Sequence, residues 1–355
     1  MLGVSTKMTE NVVDVLSFIK EYPHLFVCPH CGFDLEIEDN IIRCKNTTEL
    51  CGLSFNAEND IPKMFFPHDN MANKSNDVTN VVKAFYERTP FPNYDDIDSI
   101  QTLTQKARRG IYARLLDEQI PYGVRILEVG CGTGQLTNFL SIPNRTVIGT
   151  DLSIASLKLA HEFKKSHNLG NAYFYQMNLF KPIFKKESFH VVICSGVLHH
   201  TSDPYEGFKS IVKLTKVGGY IIIGVYNKYG RFFTKLRKQF FRLSGDHIKK
   251  LDPRIRTDEM GETRKQTWFE DQYKNPHESA HTIGEILRWF DANDIQFING
   301  YPKLDGSEFG PQENLFEPQE GGMGNSATRI LAQLGYVFRG SKQGGLFVMI
   351  GKRMK

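Results

Sequence analysis

The sequence predicts an α/β fold with a doubly wound parallel sheet, preceded by a small cysteine-bearing module. Short apolar runs of strand length alternate with helical segments between residues 123 and 355, which is typical of buried parallel strands connected by helices. A glycine-rich turn follows the first of these runs, and four of the six cysteines fall between residues 28 and 51. Because 355 residues exceed what one compact core usually serves, we expect two units or one enlarged domain.

The part of the chain before the sheet is divided by composition and periodicity. Residues 1–67 are predicted to form the module, which begins with a short helical pattern and becomes strand-like around the cysteines. Residues 68–122 are predicted to form a polar linker followed by helices. The predicted bounds are 12–19 for the first helix, 68–77 for the linker, and 78–85 and 98–118 for the next two helices.

Residues 123–355 are predicted to form the sheet and its connecting helices. Two insertions, 229–281 and 303–344, interrupt this unit. The predicted strands are RILEVG (125–130), TVIGTDL (146–152), AYFYQM (172–177), FHVVICS (189–195), YIIIGVY (220–226), QFING (296–300) and GLFVMIG (345–351). The predicted helices between them are 154–167, 205–214 and 282–292.

The glycine-rich turn indicates a nucleotide-like ligand. The strand before it ends at Gly130, and Gly132 and Gly134 precede a helix. Glycines let the backbone approach a ligand closely, and a helix N-terminus offers unpaired N–H groups. Asp151 lies at the tip of the second strand, where a carboxylate can accept both ribose hydroxyls. This spacing alone fits NAD and other adenosyl cofactors equally.

Further motifs resemble class I S-adenosylmethionine-dependent methyltransferases of the type 11 and 12 kind. The resemblance rests on EVGCGTG, VIGTDLS, MNLF at 177–180, VVICSGVLHHTSDP at 191–204 and KVGGYIIIGVYNK at 216–228. It covers residues 78–228 firmly. The resemblance implies a seven-stranded Rossmann-like sheet whose antiparallel last strand is supplied by residues 345–353, with S-adenosylmethionine as the cofactor.

The same resemblance implies the cofactor-binding residues. Gly130, Gly132 and Gly134 would line the methionine part of the cofactor, and Glu128 would anchor the loop or the cofactor amino group. Asp151 would hold the ribose and Leu152 would pack on the adenine. Asn178 stands where many family members have an acidic residue, and its amide can still meet the adenine amino group. Leu179 and Ser195 complete the implied set.

Two histidines after the fourth strand are candidate catalytic residues. His199 and His200 lie at the carboxyl end of a predicted strand, where such sheets bind ligands. Histidine can take a proton near neutral pH from an acceptor oxygen or nitrogen. A structural role in capping the next helix is equally consistent with the pattern. His200 resembles the histidine of quinone O-methyltransferases and is the first candidate for a base.

The four clustered cysteines predict a structural Zn²⁺ site. Cys28, Cys31, Cys44 and Cys51 have the pattern C-x2-C, twelve residues, C-x6-C, and four thiolates suit a tetrahedral zinc ion. The wide second pair leaves room for His24 or His30 as a replacement ligand, for an incomplete site, or for unrelated thiols. The layout resembles both bacterial large-subunit ribosomal RNA guanine methyltransferases and the small zinc-binding activators of methyltransferases.

A basic segment follows the fifth strand. The net charge is only +4, yet ten lysines and arginines stand against two aspartates between residues 227 and 256. The spacing of Phe233, Leu236, Phe240 and Leu243 predicts an amphipathic helix over 230–243. Three interpretations remain open: a lid that covers the active site, a helix lying on a membrane surface, or an RNA-binding patch.

Candidate acceptor-binding residues come from three further parts of the chain. Aromatic and ionisable side chains are dense between 268 and 281, which is typical of a pocket wall; a core role for the aromatic residues is equally open. The insertion at 303–344 is predicted to cap the substrate mouth. The segment AFYERTPFPNY at 84–94, within the predicted N-terminal lid helices, is predicted to form a lid over the cofactor. The candidates are Tyr86, Arg88, Tyr226, Trp268, Tyr273, His277 and His281.

These observations together predict a methyltransferase acting on a small or lipid-linked acceptor. The alternatives are an RNA methyltransferase and a non-catalytic scaffold that binds the cofactor. No apolar run approaches the roughly 18–20 residues that a spanning helix requires, and the acidic N-terminal region lacks the layout of a secretory signal. We therefore expect a cytoplasmic protein.

Overall fold

A computed structural model describes residues 15–46, 51–68, 77–94, 97–244, 252, 255–256, 261–343 and 345–355. Several sequence predictions fall partly outside these ranges. They are most of the predicted linker (69–76), the first residues of the predicted helix at 12–19, and residues 245–251 and 253–254 of the basic segment, which include Lys249, Lys250 and Arg254.

The N-terminal module consists of one helix and short antiparallel strands. Strands β1, β2 and β3 form one sheet, and β4 and β5 form a two-stranded ribbon. Their bounds are α1 Val15–Glu21, β1 Leu35–Glu38, β2 Ile41–Cys44, β3 Ser54–Phe55, β4 Ala57–Glu58 and β5 Ile61–Pro62. Adjacent residues with positive φ close both hairpins, Asp39 and Asn40 between β1 and β2, and Asn59 and Asp60 between β4 and β5.

The rest of the chain alternates helices and strands. The helices are α2 Val78–Arg88, α3 Ile100–Arg109, α4 Ile111–Gln119, α5 Gln135–Ser141, α6 Ile154–Ser166, α7 Pro204–Val212, α8 Phe232–Ser244, α9 Glu262–Phe269, α10 Ile283–Asp291 and α11 Ser326–Gln343. The strands are β6 Arg125–Val129, β7 Thr146–Asp151, β8 Ala172–Gln176, β9 Phe189–Ser195, β10 Thr215–Tyr226, β11 Ile295–Tyr301 and β12 Leu346–Arg353.

The main sheet has seven strands in the order β11-β12-β10-β9-β6-β7-β8. Strands β6 to β10 run parallel to one another, whereas β12 is antiparallel to both β10 and β11. The order reverses at β6, so the carboxyl ends of β6 and β9 flank the point where such sheets bind ligands. The predicted seven-stranded sheet with an antiparallel last strand is confirmed.

One predicted helix is two helices in the structure. The sequence pattern predicts a single helix over 98–118, but Gly110 has extended backbone dihedrals and separates α3 from α4. Helix α3 begins at a capping box in which Ser99 and Thr102 bond each other's backbone N–H groups. The break turns the chain so that Leu115 and Leu116 of α4 enter the core.

The module packs directly against the outer strand β8. The Phe18 ring lies 4.1 Å from the Tyr173 ring and the Phe26 ring 5.4 Å from the Tyr175 ring, measured between centroids. Lys63 pairs with Gln176 along the outer side of β8. Module and sheet residues therefore belong to one continuous apolar core.

Helix α8 is present, and of its three interpretations the lid over the active site is not supported, because no described side chain of α8 lines the cavity presented below. Phe233, Leu236 and Phe240 are exposed to solvent by 38%, 48% and 60%, while Thr234 and Phe241 face the protein. The periodicity predicts two faces of this helix, but it does not predict which face is covered.

The predicted cap at 303–344 also lies elsewhere. The Gln119 side chain of α4 donates to the Glu313 carbonyl oxygen at 2.7 Å and accepts from the Leu315 backbone N–H at 2.8 Å. This insertion therefore packs beside α4, and no described residue of 303–343 lines the cavity presented below. Within the described ranges, no helix is long and apolar enough to cross a membrane.

Candidate active site

A cavity of about 530 Å³ opens at the carboxyl ends of the central strands. This volume lies within the range of small-molecule sites in proteins. One wall comes from the turns after β6 and β7, and the opposite wall comes from α2, the end of β10 and the segment after α9.

The turn after β6 leaves no room for side chains at two of its glycines. A Cβ atom at Gly130 would lie 2.2 Å from Val197 Cγ2, and one at Gly132 would lie 2.2 Å from the Phe91 carbonyl oxygen. Both glycines have positive φ, at 71° and 54°, which residues with a Cβ rarely adopt. The backbone of this turn therefore forms the surface of the cavity.

Asp151 holds the glycine turn in place from the end of β7. Its Oδ2 accepts a hydrogen bond from the Gly132 N–H at 2.9 Å, and its Oδ1 accepts one from the Ser153 N–H at 2.9 Å. Burial raises the pKa of Asp151 above its ordinary value despite these bonds. The carboxylate lines the cavity and can accept further hydrogen bonds from a ligand.

Glu128 lies beneath the turn and lines the same cavity. Its carboxylate accepts a hydrogen bond from the Thr137 hydroxyl of α5. Burial raises the pKa of Glu128 to about 8, and the nearby Asp151 carboxylate adds to the increase. The carboxyl is therefore mostly protonated near pH 7 unless a positive charge enters the cavity.

The other predicted cofactor residues divide into two groups. Leu152, Leu179 and Ser195 line the cavity. Gly134 does not, because it begins α5 with its α-carbon turned toward Ala160, where an added Cβ would lie 2.6 Å from the alanine Cβ. Asn178 is buried and bonded within the chain, donating to the Phe66 carbonyl oxygen at 2.9 Å, and it does not line the cavity.

His200 lines the cavity and His199 does not. The His200 Nδ1 lies 2.7 Å from the His277 carbonyl oxygen. Because a carbonyl only accepts, Nδ1 carries the proton and Nε2 keeps its lone pair. Burial lowers the pKa of His200, so the ring is neutral near pH 7 and can accept a proton.

His199 is packed into the protein interior. Its ring stacks on Tyr226 with a centroid separation of 3.8 Å, and burial lowers its pKa well below the ordinary value. Neither ring nitrogen has a hydrogen-bond partner among the described residues. The backbone carbonyl of His199 accepts from the Ser279 N–H at 2.7 Å. These contacts favour a structural role for His199.

The wall opposite the glycine turn is aromatic and carries a carboxylate. Tyr86, Tyr226 and Trp268 line it, as the sequence predicts. It also contains Asp271 and Gln272, which sequence reasoning missed. The Asp271 carboxylate accepts from the Tyr86 hydroxyl and from Gln272 Nε2, each at 2.9 Å. Burial raises the pKa of Asp271.

A buried arginine supports this wall from behind. Arg231 is 1% exposed, and its guanidinium carbon lies 3.8 Å from the Tyr226 ring centroid. Its Nε donates to Glu278 at 3.0 Å and its Nη1 to Gln272 at 2.6 Å. Because Gln272 Nε2 donates to the Tyr226 hydroxyl at 2.9 Å, the arginine fixes two cavity-lining side chains.

Four predicted acceptor-binding residues lie outside the cavity. Arg88 donates to the Ala84 carbonyl oxygen on its own helix, and Tyr273 is packed among Phe241 and Phe269. His277 contributes its backbone carbonyl to His200. His281 lies by a separate surface depression with Nδ1 2.9 Å from Glu285. The many aromatic residues between 268 and 281 do indicate a packed region, but only some of its residues face the cavity.

The residues after α2 close over the glycine turn. Phe91 and Pro92 line the cavity, and the Asn93 carbonyl oxygen accepts from Gln135 Nε2 at 2.7 Å. The Thr133 hydroxyl donates to the Pro92 carbonyl oxygen. The segment 84–94 therefore lies where the sequence predicts a lid over the cofactor.

The four clustered cysteines of the module converge on one point. Their Sγ atoms all lie within 4.8 Å of one another, with Cys28 and Cys51 at 3.6 Å and Cys31 and Cys44 at 3.4 Å. A tetrahedron with Zn–S bonds of about 2.3 Å separates its sulfur atoms by about 3.8 Å. The thiols fit a zinc ion without a histidine, and the Asn46 N–H donates to Cys44 Sγ at 3.4 Å.

Part of this chain is similar to known proteins. Residues 121–284 match a family model described as a methyltransferase domain. A ubiquinone biosynthesis O-methyltransferase of Pseudomonas fluorescens is 27% identical over 159 residues, which cover 41% of this chain and 65% of that enzyme. An uncharacterised protein of Synechococcus is 26% identical over 198 residues, 49% of this chain and 48% of that protein.

Each of these curated relatives is thus matched over less than two thirds of its length. Among solved structures, magnesium protoporphyrin IX methyltransferase of Synechocystis, determined with bound S-adenosylmethionine, aligns over 79% of this chain and 100% of that chain. The identity is 14% and the TM-score is 0.45.

Proposed function

We propose that this chain, in which residues 121–284 match a methyltransferase domain, is an S-adenosylmethionine-dependent enzyme that transfers a methyl group to a small or lipid-linked acceptor. One observation carries the proposal. A single cavity joins the glycine turn and Asp151 on one side to His200, Tyr86 and Asp271 on the other.

The glycine side of the cavity fits the cofactor. Gly130 and Gly132 expose backbone where a bulky ligand needs close approach, and Asp151 can accept from the ribose hydroxyls. Glu128 faces the same space and suits the positive amino group of the methionine part. When bound, S-adenosylmethionine supplies an electrophilic methyl group on its sulfonium.

The opposite wall suits an acceptor that carries a hydroxyl or amine on an apolar framework. Phe91 and Trp268 offer apolar surface, while the lone pair of His200 Nε2 can accept the acceptor's proton. Asp271, held by Tyr86 and Gln272, can orient the same group through a hydrogen bond. Positioning in this enclosed site supplies most of the rate, and proton transfer to His200 assists it.

The cofactor part of the proposal is tested by calorimetric titration of S-adenosylmethionine. Asp151→Asn removes a charge-assisted acceptor, and we expect the affinity to fall about ten- to hundredfold. Asp98→Asn, at an exposed carboxylate outside the cavity, is the matched control and keeps the native affinity. Absence of binding to the native protein would contradict both the methyltransferase and the cofactor-binding scaffold.

The acceptor is identified by labelling a cell extract with an isotopic methyl donor. We expect the native protein to label the organic-solvent fraction, and His200→Gln to label it much less at unchanged cofactor affinity. Label found in the RNA fraction instead would replace the small or lipid-linked acceptor with RNA.

The cysteine cluster is proposed to bind a structural Zn²⁺ ion. All four ligands come from the protein, so no coordination position stays open for a substrate. The ion would therefore hold the module together and take no part in methyl transfer.

A further inference from the structure

Exposed apolar side chains concentrate on two helices that contact each other, α8 and α11. A single exposed apolar residue is ordinary, but a continuous group of them indicates a binding surface. We call this group the α8–α11 surface. Its members, with their exposed fractions, are Phe232 53%, Phe233 38%, Leu236 48%, Phe240 60%, Ile330 48%, Leu331 68% and Leu334 44%.

Polar contacts fix the inner sides of both helices. The Asn227 side chain accepts from the Tyr229 N–H at 2.9 Å and the Gly230 N–H at 3.1 Å, in the turn that leads into α8. Its Nδ2 donates to Gln333 of α11 at 3.1 Å. The same side of α11 buries Tyr336. The exposed apolar residues are therefore on the sides of these helices that the protein leaves uncovered.

The charge of the two helices is entirely positive. Helix α8 contains four basic residues and helix α11 contains three, and neither contains an aspartate or a glutamate. Among the described side chains, Lys235 is exposed beside the apolar residues of α8, whereas Arg237 donates to the Tyr273 hydroxyl and Lys238 to the Asn275 carbonyl oxygen. A surface whose helices combine large apolar side chains with basic residues and no acidic residue matches an anionic lipid surface, where phosphates meet the cations and acyl chains meet the apolar groups.

We propose that the α8–α11 surface binds the surface of an anionic lipid bilayer. RNA would engage the cations but would leave aliphatic residues such as Leu236 and Leu331 in water. A second copy of this chain would bring two cationic surfaces together, which costs electrostatic energy. The bilayer is the partner whose chemistry satisfies both the apolar and the charged residues.

This surface is connected to the cavity wall. Helix α8 begins one residue after Arg231, whose guanidinium packs on the cavity-lining Tyr226 ring. Docking on a bilayer would thus hold the acceptor side of the cavity close to the lipid phase. The proposal does not depend on methyl transfer, because vesicle binding is measured without cofactor or acceptor.

The test is flotation of the full chain with vesicles of phosphatidylglycerol mixed into phosphatidylcholine. We expect binding to mixed vesicles and little binding to pure phosphatidylcholine. Phe233→Ser with Leu236→Ser should lower the partition coefficient about tenfold or more, and Leu331→Ser with Leu334→Ser should act similarly.

Two controls distinguish binding through the α8–α11 surface from nonspecific hydrophobic adsorption and from misfolding of the variants. Val217→Ser and Tyr122→Ser alter residues that are 52% and 73% exposed near the amino ends of the strands, and they should bind as the native chain does. Calorimetry with S-adenosylmethionine checks that each variant keeps its fold.

Four outcomes would overturn the proposal. One is native binding to pure phosphatidylcholine equal to that to mixed vesicles. Another is unchanged binding in both double variants. The third is a native dimer that the α8 double variant converts to monomer without any vesicle binding, which would assign the surface to a second copy. Binding of RNA that vesicles do not displace, together with no flotation, would assign it to nucleic acid.

Discussion

The cavity is lined by three carboxyl groups, and burial makes each of them harder to ionise. Glu128, Asp151 and Asp271 all line it, and burial raises the pKa of each. A positively charged ligand would reverse this effect by stabilising the ionised forms. The protonation of the site should therefore change when a cationic cofactor enters.

Cofactor binding is expected to release a proton from Glu128. Its pKa of about 8 leaves it mostly protonated at pH 7, and a nearby positive amino group lowers that pKa, so the proton leaves. We expect release of about one proton per cofactor bound at pH 7, diminishing as the pH rises above 8. The measurement compares calorimetric enthalpies in phosphate and Tris, whose ionisation enthalpies differ.

Glu128→Gln is the matched control, because the amide keeps the shape and cannot release a proton. Equal enthalpies in both buffers for the native protein would contradict the prediction. If proton release persists in Glu128→Gln, the released proton comes from Asp151 or Asp271 instead.

Residues that belong to the glycine motif could be predicted from sequence because their chemistry depends on local backbone. Gly130 and Gly132 require positive φ, and Asp151 follows a strand whose end the apolar pattern predicts. Asp271 could not be predicted in this way. It lies in a π-helical turn, Glu270–Lys274, and only the tertiary structure turns it toward Tyr86 rather than toward solvent.

At the scale of elements, the short strands of the module have few pairing contacts to stabilise them. Strand β3 has only two residues, and its pairing with β2 involves two residue pairs. So short a sheet is marginal by itself. Four thiols that converge on one point provide the additional stabilisation when they bind a metal.

Removal of the metal is expected to destabilise the protein. Purified protein should contain one zinc ion per chain, measured by plasma mass spectrometry. Cys31→Ser should lose the ion and lower the melting temperature by roughly 5 °C or more.

Cys194→Ala serves as the comparison for a cysteine outside the cluster. This thiol is buried in β9, so the variant loses packing but should retain one zinc per chain. Metal-free native protein with the same melting temperature after zinc addition would show that the cluster has no structural ion.

The sequence predicted strands well where a run of apolar residues was continuous. It predicted poorly which side of a helix is buried and where one helix ends and the next begins. The apolar runs at β6, β7 and β9 predict strands because nearly every residue is buried on both faces. For α8 the spacing predicts an apolar side, yet burial of Thr234 and Arg231 turns that side outward. Gly110 divides α3 from α4, although glycine within a helical pattern is often tolerated.

At the scale of the whole molecule, the module and the sheet share one core. Phe26 is fully buried between Phe18 of the module and Tyr175 and Phe184 of the larger unit. The Val27 N–H also donates to the Ile183 carbonyl oxygen at 2.9 Å. Contacts of this kind favour cooperative unfolding of the two parts.

Phe26→Ala is expected to lower the free energy of unfolding of the whole chain by about 3–5 kcal/mol, because it leaves a cavity in the shared core. Urea unfolding followed by circular dichroism and tryptophan fluorescence should show a single transition shifted to lower urea. Phe33→Ala, at a residue that is 56% exposed, should change it by less than about 0.5 kcal/mol. A separate early transition for the module, with the main transition unshifted, would contradict the shared core.

The pairing of Lys63 with Gln176 has a consequence for association of the chain with itself. Strand β8 is an edge strand of the main sheet. Without this pairing, its outward backbone N–H and C=O groups would be free to pair with strands of other molecules. The Met64 N–H donates to the Gln176 carbonyl oxygen at 3.2 Å. The N-terminal module thus covers part of this edge and protects it from aggregation. Shortened versions of this protein that begin after residue 68 would uncover that strand and lose this protection.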